Sequence, residues 1–299
     1  MIYHIPAMPE QSIEGLNIRS GGIYVDATFG GGGHSREILR RLDKGRLIAF
    51  DQDDDTIKNL PSDKRFTFLN QNFRFLSNNL RFMGIETIDG LIADLGVSFH
   101  QFDEAERGFS FRFDAPLDMR MNREGSLTAA DLIRKSEEAV LADIFYEYGE
   151  LVNSRIIARE IVKARKQKAL LRTGDLVAVL DFLAPAGKKH KYYAKVFQAL
   201  RIAVNHEMEN LKEMLLQALA MLKSQGRLVI ITYHSLEDRL VKNFMRSGNF
   251  EGYKKKDFYG NPELPPLRVL TGRGITPGKE EIAANSRVRS ARLRIAEKI

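Results

Sequence analysis

Apolar residues along this chain fall into short runs separated by longer, helix-like stretches. Five runs of strand length lie at residues 23–26, 46–51, 66–69, 88–94 and 227–233. Helix-like stretches connect the first four runs, and such connections are typical of parallel strands, which need a crossover that returns to the same end of the sheet. The pattern predicts an α/β fold with a doubly wound, Rossmann-like sheet.

The interval between the fourth and fifth runs exceeds a hundred residues, far more than one crossover helix needs. Within it, residues 126–168 and 175–183 show the i, i+3, i+4 apolar spacing of helices and few strand-like alternations. The interval therefore predicts an inserted, mostly helical domain. Thr128 and Ser136 are expected to be N-caps of two of its helices.

A glycine-rich segment follows the first apolar run. After Asp26 the chain reads Ala-Thr-Phe-Gly-Gly-Gly-Gly-His-Ser and continues into a helix-like stretch. Four glycines in succession cost chain entropy, so they indicate positive φ angles or close approach of a ligand more than an ordinary flexible turn. A dinucleotide fingerprint would need glycine at Ser35 or Arg36, and a P-loop would end in Gly-Lys-Ser/Thr, so neither motif fits.

Acidic and aromatic residues lie at or just after the ends of the next three runs, at the same predicted edge of the sheet. Asp51 lies 25 positions after Asp26 and could accept hydrogen bonds from both hydroxyls of a ribose, or could belong to a solvated acidic turn. Phe73 could stack on adenine or pack in the core. Asp94 ends the fourth run, where the reacting group would lie. These residues predict a crevice for a nucleoside ligand.

The loops after the fourth and fifth runs are aromatic and polar. Residues 107–113 alternate phenylalanine with Ser and Arg, a pattern that fits base stacking and core packing equally well. Tyr233 ends the fifth run and precedes His234 and Ser235, but no nucleophile elbow accompanies this pair, so a hydrolase is not indicated. The six histidines are scattered without a His-Glu-x-x-His motif, which predicts no essential metal.

Charge is distributed unevenly along the chain, whose net charge is +7. Residues 1–154 have a net charge of −8, whereas residues 155–201 and 239–299 have +9 and +8. Within the last block, residues 248–278 are expected to form surface loops, and residues 289–296 alternate like an edge strand. Two basic blocks beside an acidic half favour docking of RNA or DNA next to the ligand site, although such blocks are as often solvated helical faces.

Absent features narrow the classes of function. The chain has no cysteine, which excludes disulfides, thiolate zinc sites, iron–sulfur clusters and cysteine nucleophiles. It has no apolar run of about 18 residues and no signal-peptide pattern at its start. We therefore expect a cytoplasmic protein that does not enter a membrane.

Seven stretches together resemble the MraW (RsmH) family of small-subunit ribosomal RNA cytosine-N4 methyltransferases. They are spread from one end of the chain to the other, and their combination is highly specific. The stretches are DATFGGGGHSR at 26–36, DLGVS at 94–98, ERGFSF at 106–111, PLDMRM at 116–121, FQALRI at 197–202, YHSLEDR at 233–239 and NSRVRSARLR at 285–294.

The resemblance implies a cofactor, a substrate and a division of the chain. The cofactor would be S-adenosylmethionine, and the substrate the exocyclic N4 amine of a cytidine in the decoding region of 16S rRNA, within the small ribosomal subunit. Residues 1–102 and 208–299 would form the methyltransferase domain, and residues 103–207 the substrate-recognition insert. The oligomeric state, monomer or homodimer, stays open. The residues implied to bind the cofactor are Gly32, Gly33, His34, Asp51, Phe73, Asp94 and Gln101.

One stretch departs from the family pattern. Many relatives have a His-Pro-Ala-Thr-like sequence just before FQALRI, whereas residues 191–195 of this chain read KYYAK. The RNA contacts of this region are therefore open. The DLGVS loop also differs from the Asp/Asn-Pro-Pro-aromatic motif of DNA amine methyltransferases, so roles known from those enzymes transfer poorly.

The acceptor atom can be narrowed further. Methylation at pyrimidine C5 normally needs a cysteine, so a chain without one points to a nitrogen or oxygen acceptor. For an exocyclic amine, Asp94 or its loop would accept amine hydrogens, and Phe99 or Tyr233 would stack on the base. Asp94 and Tyr233 are thus the catalytic candidates. The alternatives are a methyltransferase for DNA or a small molecule, and a non-enzymatic RNA-binding assembly factor.

Overall fold

The computed structural model describes residues 6–254, 256, 258–261 and 263–299, apart from the side chains of Phe99 and His100. It divides into two compact units. The sheet unit comprises Met1–Gly96 and Glu209–Ile299, and the helical unit comprises Val97–Met208. The chain thus passes between units after residues 96 and 208, where the sequence predicted domain boundaries after residues 102 and 207.

Seven strands form one sheet in the order β3-β2-β1-β4-β5-β7-β6. Strands β1 to β5 are parallel to one another, and β7 is antiparallel to both β5 and β6. This arrangement confirms the predicted doubly wound α/β class. The strands are β1 (Ile23–Asp26), β2 (Arg46–Phe50), β3 (Phe66–Leu69), β4 (Ile88–Asp94), β5 (Leu222–Thr232), β6 (Leu267–Val269) and β7 (Arg292–Lys298).

The strand order reverses between β1 and β4. Strand β1 pairs with β2 on one side and with β4 on the other, and Asp26 is in register with Ala49 and Ile92. Asp51 and Asp94 each follow those partners by two residues, so the three carboxylates lie at the same edge of the sheet. A reversal of this kind opens a crevice at the carboxyl ends of the strands, where open α/β sheets bind their ligands.

The C-terminal strand differs from its prediction. Residues 289–296 were expected to form an edge strand, but β7 covers Arg292–Lys298 and lies between β5 and β6. The edge is formed by β6, within the region expected to contain only loops. A strand of three residues is too short to give a recognisable alternation, and β7 is consequently buried along most of its length.

Helices cover the sheet and build the helical unit. None of those within the described part of the chain is long and apolar enough to cross a bilayer. The helices are α1 (Pro9–Leu16), α2 (Gly33–Arg41), α3 (Leu76–Phe82), α4 (Phe99–Asp103), α5 (Ala129–Lys135), α6 (Glu138–Glu147), α7 (Ser154–Gln167), α8 (Thr173–Leu180), α9 (Lys189–Asn205), α10 (Glu207–Met221), α11 (Ser235–Ser247) and α12 (Lys279–Ala284).

The helical unit has its own apolar core and its own caps. Thr128 is an N-cap as predicted, since its Oγ1 accepts a hydrogen bond of 3.0 Å from the Asp131 N–H. The prediction for Ser136 is wrong. Its N–H donates to the Leu132 carbonyl, so Ser136 ends α5, and Glu137 precedes α6. The core includes Phe145, Ile157, Ile161, Leu176, Val196 and Leu200.

Candidate active site

The glycine segment forms a tight loop between β1 and α2. Gly30 and Gly32 have φ angles of +52° and +73°, which disfavour residues with a Cβ. A Cβ on Gly32 would also lie 2.8 Å from the Phe29 ring. Gly32 is the N-cap of α2 and provides no side-chain cap, so the first N–H groups of the helix face the loop. The loop therefore suits a ligand that approaches the backbone closely.

Asp51 links this loop to the end of β2. Its Oδ2 accepts a hydrogen bond of 2.7 Å from the Gly30 N–H, and its Oδ1 accepts one of 2.9 Å from the Asp53 N–H. Burial raises the pKa of Asp51 to about 7, despite the lowering effect of these two hydrogen bonds. The Asp51 carboxylate thus stabilises the glycine loop, whether or not it also binds a ligand.

Asp26 lies beneath the loop, at the end of β1. It is 1% exposed, and its Oδ2 accepts a hydrogen bond of 2.6 Å from the Ser35 hydroxyl. Its Oδ1 accepts another, of 3.1 Å, from the Thr28 N–H. Burial raises its pKa to about 6. Asp26 therefore supports the loop from below and adds negative charge to the site when it is ionised.

Asp94 and Tyr233 meet at the ends of β4 and β5. The Tyr233 hydroxyl donates a hydrogen bond of 2.8 Å to Asp94 Oδ1, and the Asp94 N–H donates one of 2.6 Å to the Thr28 hydroxyl. Burial raises the pKa of Asp94 to about 7, although the bond from Tyr233 lowers it. Burial and then the Asp94 charge raise the pKa of Tyr233 well above 10. The two predicted catalytic residues are thus in direct contact.

His34 lies beside this pair, on the first turn of α2. It is 4% exposed, and its Nε2 is 3.1 Å from the Ala7 carbonyl oxygen. Because a carbonyl only accepts, Nε2 carries the hydrogen, and Nδ1 of the neutral ring is an acceptor. Nδ1 is 3.9 Å from Asp94 Oδ2, beyond direct hydrogen bonding. His34 therefore contributes an acceptor nitrogen next to the Asp94 carboxyl.

Phe73 begins a short 3₁₀ turn after β3 and is half-buried. Asn72 caps this turn and donates from its Nδ2 a hydrogen bond of 2.8 Å to Gln52 Oε1. Since Gln52 follows Asp51 directly, the turn that carries Phe73 is joined to the segment that carries the strand-end carboxylate. This position is compatible with stacking on a ring bound next to Asp51.

Gln101 is the one predicted cofactor ligand that belongs to the helical unit. It lies on α4 and is 4% exposed. Its Oε1 accepts a hydrogen bond of 3.0 Å from the Ser98 N–H, and its own N–H donates to the Ser98 hydroxyl at 3.2 Å. These reciprocal bonds join Gln101 to Ser98 at the end of the DLGVS loop, so the Gln101 side-chain oxygen stabilises that loop.

Two polar residues of the site were not singled out from the sequence. Thr28 binds the Asp94 backbone, and Glu237 is 3% exposed and accepts a hydrogen bond of 2.9 Å from the Tyr233 N–H. Glu237 also forms a capping box with His234 at the start of α11. The spacing of His234 and Glu237 was the available signal, because a capping residue three positions before a glutamate marks a helix start.

The phenylalanines at 107–113, which could have been stacking or core residues, differ among themselves. Phe109 is buried, and Phe111 packs edge-on against Tyr193 and Phe197, so these two belong to the helical core. Phe113 is 51% exposed. The side chain of Phe99, proposed for stacking, lies outside the described residues.

The stretch at 191–195 that departs from the family pattern lies in α9. Tyr192 and Tyr193 are buried there, and their hydroxyl groups bond to neighbouring helices of the unit. The Tyr192 hydroxyl accepts a hydrogen bond of 3.0 Å from Asn153 Nδ2, and the Tyr193 hydroxyl donates one of 2.6 Å to Asp181. Much of the departure therefore concerns packing, while Lys191 is exposed and Lys195 is half-buried.

Comparisons with known proteins agree with these features. The sequence profile described as the MraW methylase family matches residues 1–299. "Ribosomal RNA small subunit methyltransferase H" of Phocaeicola vulgatus is 56% identical over 298 residues, covering 99% of this chain and 98% of that protein. The protein of the same name from Cytophaga hutchinsonii is 54% identical over 299 residues, covering 99% and 100%.

Among solved structures, a putative methyltransferase from Streptococcus mutans in complex with SAH aligns with a TM-score of 0.44 and 13% identity. The alignment covers 99% of this chain and 100% of that one. An rRNA methylase from Streptococcus thermophilus aligns with a TM-score of 0.43 and 12% identity, over 97% and 93% of the two chains.

Proposed function

This chain belongs to the MraW methylase family, and from that premise we propose that it methylates the exocyclic N4 amine of a cytidine in 16S rRNA. The methyl donor is S-adenosylmethionine. The substrate in this proposal is the decoding region of the small ribosomal subunit, which would place the enzyme in the cytoplasm. The contact between Asp94 and Tyr233, beside the glycine loop, is the observation that carries the proposal.

The residues of the sheet unit fit this donor. The glycine loop leaves no space for a Cβ at Gly32, and the uncapped start of α2 suits the carboxylate of the amino-acid part. Asp51 has lone pairs beyond its two backbone hydrogen bonds and would accept from the ribose hydroxyls. Phe73 would stack on adenine. The proposed ligands are Gly32, Gly33, His34, Asp51, Phe73, Asp94 and Gln101.

The bound donor supplies an electrophilic methyl group on a sulfonium centre. Asp94 would accept a hydrogen bond from the N4 amine and so hold its nitrogen toward that methyl group. Tyr233 would keep the carboxyl in place through its bond to Oδ1. The methylated amine must lose a proton, and a carboxyl with a pKa of about 7 is a suitable acceptor near neutral pH. His34 Nδ1 is close enough to receive that proton through a small shift.

The helical unit would bind the RNA. Arg155, Arg159, Lys163 and Lys166 follow one another at intervals of four, four and three residues, and all four are exposed along one side of α7. By helical geometry this basic row is about 16 Å long. Glu160 lies 3.5 Å from Arg159 and 3.9 Å from Lys163. These exposed ion pairs are weak and offset little of the positive charge of the row. Such a row favours contact with a phosphate backbone.

The direct test uses small ribosomal subunits from cells that lack the gene. Purified protein is incubated with these subunits and labelled S-adenosylmethionine, and the RNA is digested to nucleosides and analysed by mass spectrometry. The proposal predicts label in N4-methylcytidine of 16S rRNA. Label in another nucleoside or in DNA would show that the substrate differs from the one proposed. Binding of subunits without any methyl transfer would instead indicate a non-enzymatic assembly factor.

A further inference from the structure

The segment between α11 and β6 exposes aromatic rings that the proposed chemistry does not use. Phe258 is 96% exposed, Tyr259 is 85% exposed and Tyr253 is 57% exposed. The rings of Phe258 and Tyr259 touch edge to face, with centroids 5.6 Å apart. We call Tyr253, Lys254, Lys256, Phe258 and Tyr259 the aromatic tip. Large rings clustered in solvent indicate a surface that a partner covers.

The base of this segment is held firmly on α11. Phe250 stacks on Phe244 with centroids 5.2 Å apart and an interplanar angle of 18°. Asn243 Nδ2 donates a hydrogen bond of 2.9 Å to the Phe250 carbonyl. Asn249 Nδ2 donates one of 2.7 Å to the Tyr253 carbonyl, and Asn249 Oδ1 accepts from the Gly252 N–H at 2.7 Å. The segment is therefore tied down immediately before the exposed rings.

Cations accompany the rings. Lys254 and Lys256 are exposed within the aromatic tip. At its base, Arg246 and Lys254 line a cavity of about 130 Å³ together with Glu263 and the prolines at 265 and 266. Arg246 Nη2 also donates a hydrogen bond of 3.0 Å to the Gly252 carbonyl, so one cation of the cavity is fixed in place. Positive charge thus lies both within the aromatic tip and at its base.

This composition distinguishes between classes of partner. The centres of protein–protein interfaces are depleted in lysine, so lysines among the exposed rings disfavour a protein partner. Aromatic rings that alternate with cations are the usual means of binding single-stranded nucleic acid, since each base stacks on a ring and each phosphate meets a cation. Bases within a duplex are already stacked, so the rings need unpaired nucleotides.

We propose that the aromatic tip binds single-stranded RNA outside the reacting nucleotide, with bases stacked on Phe258 and Tyr259 and phosphates at Lys254 and Lys256. The inference rests on the proposed function only in taking the RNA to be part of the ribosomal substrate. The tip would add affinity for the substrate particle without touching the methyl donor.

The test compares the wild type with the double variant Phe258→Ala, Tyr259→Ala. Binding of a fluorescein-labelled single-stranded RNA of about 16 nucleotides, an order of size suited to such surfaces, is measured by anisotropy in low salt. The variant should bind at least about tenfold more weakly, because two stacking contacts are lost. The wild type should also bind this RNA more tightly than a duplex of equal length.

A matched control is available on α3. Phe82 is 94% exposed in the same unit, but α3 contains no second aromatic ring and only one cation, Arg81. Phe82→Ala should leave RNA binding unchanged, and both variants should bind S-adenosylhomocysteine like the wild type. Equal RNA affinity in the double variant and the wild type would overturn the inference. So would a double variant that loses self-association in sedimentation, because the rings would then join two copies of the chain.

The two proposals fail in different ways. If the wild type makes N4-methylcytidine in subunits but the double variant binds RNA normally, the aromatic tip is not an RNA surface, and the proposed function stands. If the double variant loses RNA affinity but the wild type transfers no methyl group, the tip stands as an RNA-binding surface, and the proposed reaction falls.

Discussion

The strand-end carboxylates of the sheet unit and the surface carboxylates of the helical unit lie in opposite electrostatic surroundings. Burial raises the pKa of Asp26 to about 6 and the pKa of Asp51 and Asp94 to about 7, and no Lys or Arg side chain bonds to them among the described contacts. In the helical unit, an Arg or Lys side chain donates to each shifted carboxylate at the surface and lowers its pKa. These carboxylates are Asp114, Asp118, Asp131, Asp175 and Asp181. At Asp118 the raising effect of partial burial on the pKa is outweighed by the Arg120 side chain.

The difference separates stabilising groups from reactive ones. A carboxylate paired at the surface is ionised at neutral pH and contributes modestly to stability. A buried carboxylate without a cation lowers the stability of the folded protein when it is ionised. Such groups are therefore found mainly at functional sites. The strand ends of the sheet unit thus contain carboxylates suited to chemistry, whereas the surface carboxylates of the helical unit are paired with cations and serve stability. Each prediction below changes one side of this comparison.

The largest effect is expected from Asp94→Asn. The amide keeps the shape of the side chain but cannot take a proton from the methylated amine, so turnover at saturating methyl donor should fall by about 10²- to 10⁴-fold. Asp114→Asn, at the surface of the helical unit, should leave turnover unchanged. Methyl incorporation into small subunits measures both. Full turnover by the Asp94 variant would remove Asp94 from the mechanism.

Asp26 should impose a pH dependence on folding. Because its pKa is raised from 3.8 to about 6, the folded protein binds this proton more tightly than the unfolded chain does. Its contribution to the free energy of unfolding therefore falls by about 2 kcal/mol as the pH rises from 4 to 7. Asp26→Asn should remove that fall in urea unfolding of the protein without ligand.

The matched control for this titration is Asp63. The Arg65 side chain lowers its pKa to about 2, so its stabilising effect is lost only as the pH falls below 4. Asp63→Asn should consequently leave the slope of unfolding free energy between pH 4 and pH 7 as it is in the wild type. If the Asp26 variant had the same slope as the wild type, the raised pKa assigned to Asp26 would be contradicted.

Neutralising the basic row on α7 should weaken substrate binding without affecting chemistry. The triple variant Arg155→Gln, Arg159→Gln, Lys163→Gln should raise the KM for small subunits by about tenfold and reduce its salt dependence, because fewer phosphate counterions are released. The kcat should be unchanged. Arg134→Gln with Lys135→Gln is the control, since Asp131 already pairs with both cations. An unchanged KM in the triple variant would place RNA docking elsewhere.

Local pattern predicted much of the fold and little of the site geometry. The bounds of β1, β3 and β4 were predicted correctly, because parallel strands in such a sheet are short apolar runs bounded by polar residues. The position of β7 was not, because the neighbouring β6 has three residues and no readable pattern. Ser136 was misassigned because a serine between two helices can end one as easily as begin the next.

The contacts within the site depend on side chains far apart in sequence. Tyr233 and Asp94 are separated by 139 positions, and only the pairing of β4 with β5 brings them together. The hydrogen bond from Gly30 to Asp51 likewise depends on the fold of the loop rather than on composition. The sequence identified the residue types and their strand ends, whereas the raised pKa values follow from burial that no local pattern encodes.

The central claim is that strand-end carboxylates of the sheet unit hold the methyl donor. Calorimetric titration with S-adenosylhomocysteine tests it most directly, on the wild type, on Asp51→Asn and on Asp114→Asn. The account predicts one site in the wild type, binding weakened about tenfold or more by Asp51→Asn through the loss of charged hydrogen bonds, and no change in Asp114→Asn. Absence of binding to the wild type, or equal affinity in all three proteins, would contradict it.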